Sequence, residues 1–479
     1  MSGSRSASDT ETPAVPVPSS PQLLQSADAE NSTSYVVTVN GSRLPVHRAR
    51  VSAIPVNQVW PGYQRPLAQT ELAEFVSFDL EGPSLIEVIS ARPIESVQIR
   101  PQSLGIVPAI SGNRLAFTLP KPGQVVVEVN GWHGALHIFA YPPEQESPDP
   151  QAPGVLAFGP GEHHAGKILL HDDETLYLAK GAVLHAAVEA AGASNVRICG
   201  RGILDNSTFA RGAGAPIAMQ NCTGLTIEGI TIRDSSVWTV TLTRCTDVVI
   251  SNIKLIGMWR YNSDGIDLVN CERVVIEDSF VRAFDDNIVL KGFDVWHGKA
   301  SAGPLRDVVV RRCVLWNDWG RALEIGAETR TDAINDVLFQ NCDIVHFVHR
   351  AMDIQNGDRA HVHHICFEDI RVEEAIVDGA YREDYGAPDT DVGMLIELLT
   401  VENPYSKDVE RGKISDIVFR NITASGERFP YSRFTGHDAA HGVEGILIET
   451  LVIQNKPVTT LEEGQISVNA YVKDVTLRA

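Results

Sequence analysis

Helical patterning is what this chain of 479 residues most plainly lacks: after Gly154 no stretch of about ten residues repeats its apolar positions at helical spacing. That absence excludes a doubly wound α/β fold, which needs helices between its strands. Cysteine is scarce as well, with seven in an odd count. They show no pairing pattern, and there is no Cys-x-x-Cys or histidine ligand spacing, so neither a disulfide framework nor a structural metal is indicated. No metal or organic cofactor is implied. Basic residues are outnumbered, 40 against 61 acidic, for a formal charge of -21. A polyanion would be repelled by that surplus, which argues against nucleic acid or an anionic membrane as partner and, more weakly, against an acidic polysaccharide. Long apolar runs are missing too, and Met1-Ser2-Gly3-Ser4-Arg5-Ser6 leads into Ser, Thr and Pro without the apolar segment of a leader peptide. The chain as written is expected in the cytoplasm; a secreted chain already stripped of its leader would read the same way. Nothing in it fixes an oligomeric state.

What is present is apolar matter in short runs, 43% of residues in all, ample for a core. Residues 1–33 are polar and rich in Pro and Ser, cannot bury enough surface to offset ordering, and are expected to be disordered. Residues 34–142 carry short alternating runs separated by Gly, Pro and Asn: Tyr35–Val39, Phe75–Phe78, Leu85–Ile89, Val97–Ile99, Arg114–Thr118 and Val125–Val129. Such spacing predicts a small antiparallel β-sandwich. Residues 143–153, rich in proline and acid, read as a linker, and 154–479 as a second, repetitive unit.

In that unit a pattern of apolar-x-apolar-x-polar-small returns at Leu225–Ile230, Val248–Ile253, Val274–Ser279, Val308–Cys313, Val337–Cys342, Ile365–Ile370 and Ile417–Ile422. Self-similarity at this period in β-branched runs without helices predicts an all-β solenoid, a right-handed parallel β-helix. Successive coils stack at about 4.8 Å, so residues in register become neighbours. Two wholly aliphatic columns result: Val240, Ile266, Ile288, Leu323, Met352 and Leu242, Leu268, Leu290, Ile325, Ile354. Cys222, Cys245 and Cys271 follow the second column at constant offset and should stack as small buried hydrophobes. Beside the columns runs a polar one, Trp238, Asp264, Asp286, Arg321, Arg350, and insertions on one rim (Phe293 to Pro304, Asp378 to Asp391, Glu402 to Lys413) mark where binding is usually built.

The register brings Asp264, Asp285 and Asp286 together one coil apart. Three carboxylates this close cannot all remain ionised without cost, so at least one should hold a proton near neutrality. A protonated acid beside ionised ones suits glycosidic cleavage, where one group protonates the leaving oxygen and another deprotonates water or attacks. The alternatives are a calcium site, or acidic turn residues facing water. Trp238, Trp259 and Tyr261 favour the sugar, since a calcium site gains nothing from aromatic platforms.

Asn262-Ser263-Asp264-Gly265-Ile266-Asp267 followed by Asp285-Asp286 resembles the Asn-Thr-Asp and Asp-Asp motifs of the polygalacturonase family, glycoside hydrolase family 28, whose members are right-handed parallel β-helices. The likeness covers most of Gly154 to about Asn421, and Phe158-Gly159-Pro160-Gly161-Glu162-His163 resembles the family's opening cap. The dextranase and isopullulanase family, glycoside hydrolase family 49, is similar and also sets a β-sandwich before its solenoid. The resemblance implies Asp285 as general acid, with Asp264 and Asp286 holding and activating water, and inversion at the anomeric carbon. Two motifs depart from it. The position of the Gly-His-Gly histidine is taken by Arg321 in Gly320-Arg321-Ala322, and that of Arg-Ile-Lys by Asp353-Ile354-Gln355. An anion and an amide in place of two cations would repel galacturonate.

The expectation is therefore an inverting glycoside hydrolase acting on a neutral, α-linked oligo- or polysaccharide in the manner of a dextranase. Asp267, Glu324, Asp353 and Gln355 would accept sugar hydroxyls. Asn262, Lys291, His349 and Asn356 are further candidates around the substrate. Arg321 and Arg350 either meet an anionic group or neutralise neighbouring acids, and His163 and His164 are read as cap residues in preference to ligands. The rival readings are a pectin-type hydrolase, a non-catalytic carbohydrate-binding solenoid, and a polysaccharide lyase using a metal-bound acid cluster.

Overall fold

Each coil of the solenoid turns on one residue in the left-handed region. The repeated unit closes at Gly229, Asn252, Asp278, Arg312, Asn341, Asp369 and Asn421, with φ between 52° and 74°. Glycine, asparagine and aspartate tolerate this conformation, and it lets a strand end abruptly and the next begin after one intervening residue. Arg312 is the exception by type, and its guanidinium is held by Asp278 of the preceding coil at 2.8 Å.

The computed structural model describes residues 34–53, 67–293, 303–375 and 393–478. The expected disordered tail, residues 1–33, lies outside these, as do most of the rim insertions at Phe293 to Pro304 and Asp378 to Asp391. From Val155 to Arg478 the strands form one continuous ladder in which each pairs, almost throughout in parallel, with its counterpart one coil on. Three sheets result. One contains Thr223–Glu228, Thr246–Ser251 and Glu272–Glu277. The next contains Thr231–Arg233, Lys254–Ile256, Phe280–Ala283 and Val314–Asn317. The third contains Val240–Thr243, Ile266–Val269, Ile288–Lys291, Arg321–Ala327 and Arg350–Asn356. The fold is the expected parallel β-helix.

Both aliphatic columns are present. Val240 pairs with Ile266, Ile266 with Ile288, Ile288 with Leu323 and Leu323 with Met352, while Leu242 through Ile354 run two residues further along the same strands. All of these side chains are buried. The cysteines are free, and Cys222, Cys245 and Cys271 are fully buried in the solenoid core.

The N-terminal sandwich consists of two five-stranded sheets spanning Tyr35 to Tyr141. It is not antiparallel throughout: Leu136–Tyr141 lies between Gly123–Val129 and Thr70–Asp79 and runs parallel to the latter. The former strand is buried along its whole length, so it shows none of the alternation that marks a half-exposed antiparallel strand. One sandwich sheet lies on the middle sheet of the solenoid. Phe75, Val126, Phe139 and Tyr141 pack there against Ile256, Phe280, Trp316 and Val345. A buried ionic group crosses the same contact: Arg100 reaches Glu128 at 2.9 Å within the sandwich and Glu373 of the solenoid at 2.7 Å, and Glu128 also meets His346.

Candidate active site

The turn from the middle sheet into the third is where the acidic residues sit, so the sandwich buttresses the strands that carry them. Asp285 and Asp286 lie between Phe280–Ala283 and Ile288–Lys291, and Asp264 lies just before Ile266–Val269. Asn287 fixes the first of these turns, its amide donating to the Val281 carbonyl at 2.7 Å and the Trp316 carbonyl at 3.0 Å. Asn317 of the next coil donates to the Asp285 carbonyl at 2.7 Å. Gly320 is required by close approach: a Cβ there would lie 2.5 Å from the Asp285 carbonyl carbon and 2.6 Å from Asp286 Oδ1. Its absence lets the Arg321 N–H donate to Asp286 Oδ1 at 3.0 Å.

The three aspartates converge. One carboxylate oxygen from each of Asp264, Asp285 and Asp286 lies within 4.8 Å of the others, and all three side chains are buried. Burial pushes the Asp264 carboxyl well above its ordinary range, opposed by Lys291 and reinforced by Asp267, Asp285 and Asp286. Asp285 is pushed well up by burial and then by Asp286, against the pull of Arg321 and Lys291. Burial likewise raises Asp267 to about 7, against Lys291, and Asp353 to about 7, with Glu397 adding to the effect. Glu324 is raised well above a normal glutamate by burial and by Asp286. Burial thus favours the protonated form across this group of carboxyls, while Lys291 and Arg321 pull the other way.

Lys291 is central to that balance. Its ammonium lies 3.1 Å from Asp264 Oδ2 and 2.9 Å from Asp267 Oδ1, and 3.9 Å from the centre of the Trp238 ring. Arg321 places Nη1 3.7 Å from Asp286 Oδ1 and Nε 3.4 Å from Asp353 Oδ2. Asp264 Oδ1, Asp267 Oδ2, Glu324 Oε2 and both Asp353 oxygens are buried without a hydrogen-bond partner among the described residues. Such acceptors call for donors from outside.

Other candidates take different places. Trp259 is only 1% exposed and Trp238 4%, its ring beneath Lys291, so neither offers an open platform to a sugar. The demand for core volume claimed both rings. Tyr261 belongs to the core as well and lies 5.3 Å from the Trp319 ring. Asn262 has a left-handed backbone, φ 58°, and accepts from Arg211: it shapes the turn. Arg350 binds Glu397 at 2.7 Å and His349 lends its carbonyl to the same guanidinium, which matches the neutralising role. Gln355 accepts from Asn403 at 3.3 Å, and Asn356 bonds Thr329 and the Ala360 carbonyl inside the wall.

Sequence reasoning passed over Glu328, Trp319 and Glu397. Glu328 is buried and raised by that burial, opposed by the charge of Lys291. Trp319 stacks on Phe284 at 5.5 Å. Neither falls in an aliphatic or acidic column, so register alone gave them no signal; Trp319 does flank Gly320, which the motif comparison had reached. Glu397 does lie in register, following Asp353 on the next coil, but beyond the last coil aligned.

Residues 200–432, the stretch enclosing this pocket, match the model of glycosyl hydrolases family 28. Over that stretch the solenoid is similar to the glycosyl hydrolases of family 28. No curated protein matches the sequence. Among solved structures, the chain is similar to Dex49A from Penicillium minioluteum, with a TM-score of 0.66 at 15% identity and 95% of each chain covered. It also resembles a hyperthermoactive exopolygalacturonase from Thermotoga maritima, with a TM-score of 0.52 at 18% identity, over 68% of this chain and 84% of that one. At such identities these likenesses speak to fold, and the first extends over both sandwich and solenoid.

Proposed function

We propose that this glycoside hydrolase cleaves a neutral, α-linked oligo- or polysaccharide with inversion, using Asp285 as general acid and Asp264 and Asp286 to hold and activate the attacking water. The observation that carries this reading is the buried triad, in which burial raises the carboxyls of both Asp285 and Asp264, and Lys291, 3.1 Å from Asp264 Oδ2, is the largest influence opposing the rise at Asp264. A raised acid keeps its proton at neutral pH and can give it to the leaving oxygen; an acid paired with an ammonium can ionise and accept a proton from water. Neutrality of the substrate is supported by the charge around the triad. Asp267, Glu324 and Asp353 surround it, and Arg321 and Arg350, the cations of the polar column, are committed to Asp286, Asp353 and Glu397. A uronate carboxylate entering this site would meet acidic side chains, whereas sugar hydroxyls would supply the donors that buried oxygens of Asp353 and Glu324 do not find among the described residues.

One observation favours a second reading of the stereochemistry. Carboxylate oxygens within 4.8 Å of one another are closer to the roughly 5 Å of a retaining pair than to the wider gap of a single inverting pair. Defined α-linked glucans and pectin fragments, incubated with the enzyme and followed by proton NMR, separate the possibilities. Release from a neutral glucan of product with the opposite anomeric configuration supports the proposal. Retained configuration refutes the aspartate roles, and turnover of polygalacturonate alone refutes the neutral substrate.

A further inference from the structure

At the opening end of the solenoid, far along the chain from the triad, lies a second group of ligand-type side chains, two exposed and one buried. The strands Gly161–Leu170 and Ala182–Ala191 pair so that His164 lies beside His185, and the column continues through Asp205 and Arg233. Glu162 precedes His164 by two residues and so projects on the same side of its strand. The His164 and His185 rings are stacked at 4.4 Å and 8°. His185 Nε2 lies 3.7 Å from Glu162 Oε1, and one ligand atom from each of the three residues falls within 4.8 Å of the others.

We propose that Glu162, His164 and His185 form a binding site for a divalent transition-metal ion of the zinc class, set on the first two coils. The donor set is two imidazole nitrogens and one carboxylate, which suits zinc and its neighbours and suits the oxygen-seeking calcium and magnesium poorly. His185 is preorganised. It is 3% exposed, and its Nδ1 lies 3.3 Å from Asp205 Oδ1, leaving Nε2 toward Glu162. Asp205 is itself fully buried and fixed by Arg233 at 2.6 Å and by the Ser207 N–H at 2.8 Å. A carboxylate that orients a histidine through its far nitrogen is the usual support of a metal ligand, setting both tautomer and ring direction.

The other two ligands are adaptable arms. Glu162 and His164 are exposed, and the strand has an irregular register directly after His164, where Ala165 is left without a partner. Tetrahedral zinc requires nitrogens about 3.3 Å apart, less than the rung spacing, so His164 must swing toward His185. Its exposure permits that. His163 is excluded from the set because its Nε2 already lies 2.7 Å from the Gly159 carbonyl. The ion would clip the first strand of this column to the second, at the end of the solenoid where the ladder has no earlier coil to lean on.

The test uses the full-length chain after dialysis against chelator, titrated calorimetrically with Zn2+ and followed in parallel by Co2+ absorption. One equivalent should bind, with affinity reduced at least about tenfold in His164→Ala and in Glu162→Gln, both exposed positions whose loss leaves the fold intact. Asp264→Asn and His363→Ala should leave the affinity unchanged, which separates this site from the aspartate triad and from a third histidine group, where the His363 ring lies 4.2 Å from that of His361 and its Nδ1 3.1 Å from His364 Nδ1. The proposal is overturned if Zn2+ fails to saturate, if the double variant at Glu162 and His164 binds like the parent, or if Mg2+ or Ca2+ binds as tightly.

Discussion

Replacing Lys291 by methionine should cost stability in a manner set by pH. The ammonium bridges Asp264 and Asp267 at 3.1 and 2.9 Å inside the wall of the pocket. Burial raises both acids, Asp267 to about 7, so each contributes stability in full below the ordinary carboxylate range and loses it as pH rises through its folded value. Lys291 limits that loss. Without it, ionisation at pH 8 leaves uncompensated buried charge, with a cost on the order of 3–5 kcal/mol. At pH 5, below the value of about 7 to which Asp267 is raised, that acid is protonated and the ammonium is itself a buried charge, so its removal should cost no more than about 1 kcal/mol, the worth of ordinary hydrogen bonds. Urea unfolding followed by tryptophan fluorescence at the two pH values measures the difference. A midpoint shift equal at pH 5 and pH 8, or none at pH 8, would refute the assignment of Lys291 as the counter-charge of this pair.

Further outcomes follow from the same geometry. Asp285→Asn should lower kcat by roughly 10²- to 10⁴-fold with little change in KM, while thermal stability stays level or rises because the amide is neutral at every pH in a place where burial disfavours the ionised carboxylate. In the parent enzyme kcat should fall on the alkaline side as Asp285, whose folded pKa is raised, loses its proton; Arg321→Ala removes a cation that opposes this shift and should move that limb to higher pH. Gly320→Ala forces a methyl to within 2.5 Å of the Asp285 backbone, and should cost about 1–3 kcal/mol on thermal unfolding together with much of the activity.

Register carried the parts of this molecule that were legible beforehand. A coil in which Ile266 pairs with Ile288 leaves Asp264 and Asp286 no choice but adjacency, so the triad followed from counting. Contacts without a period did not follow. Glu128 and His346 are 218 residues apart, and nothing in either stretch announces the other. The middle sheet gave a partial clue, since Phe280–Ala283 and Val314–Asn317 are buried on both faces, yet Arg282 interrupts the apolar reading. The aromatic residues misled for the opposite reason. Trp238 heads the polar column that holds Asp264 and Asp286, and Trp259 shortly precedes Asp264, but a side chain that large near a coil corner serves first to fill volume.

The contact between sandwich and solenoid limits how this enzyme can be cut down. A solenoid cut free at residue 154 would present Ile256, Phe280, Trp316 and Val345 to water as a greasy stripe, and would strand Glu373 beside it, parted from Arg100. Such a fragment would be expected to aggregate before its catalytic competence was ever assayed, so the two halves must be inherited, expressed and engineered as a single indivisible body.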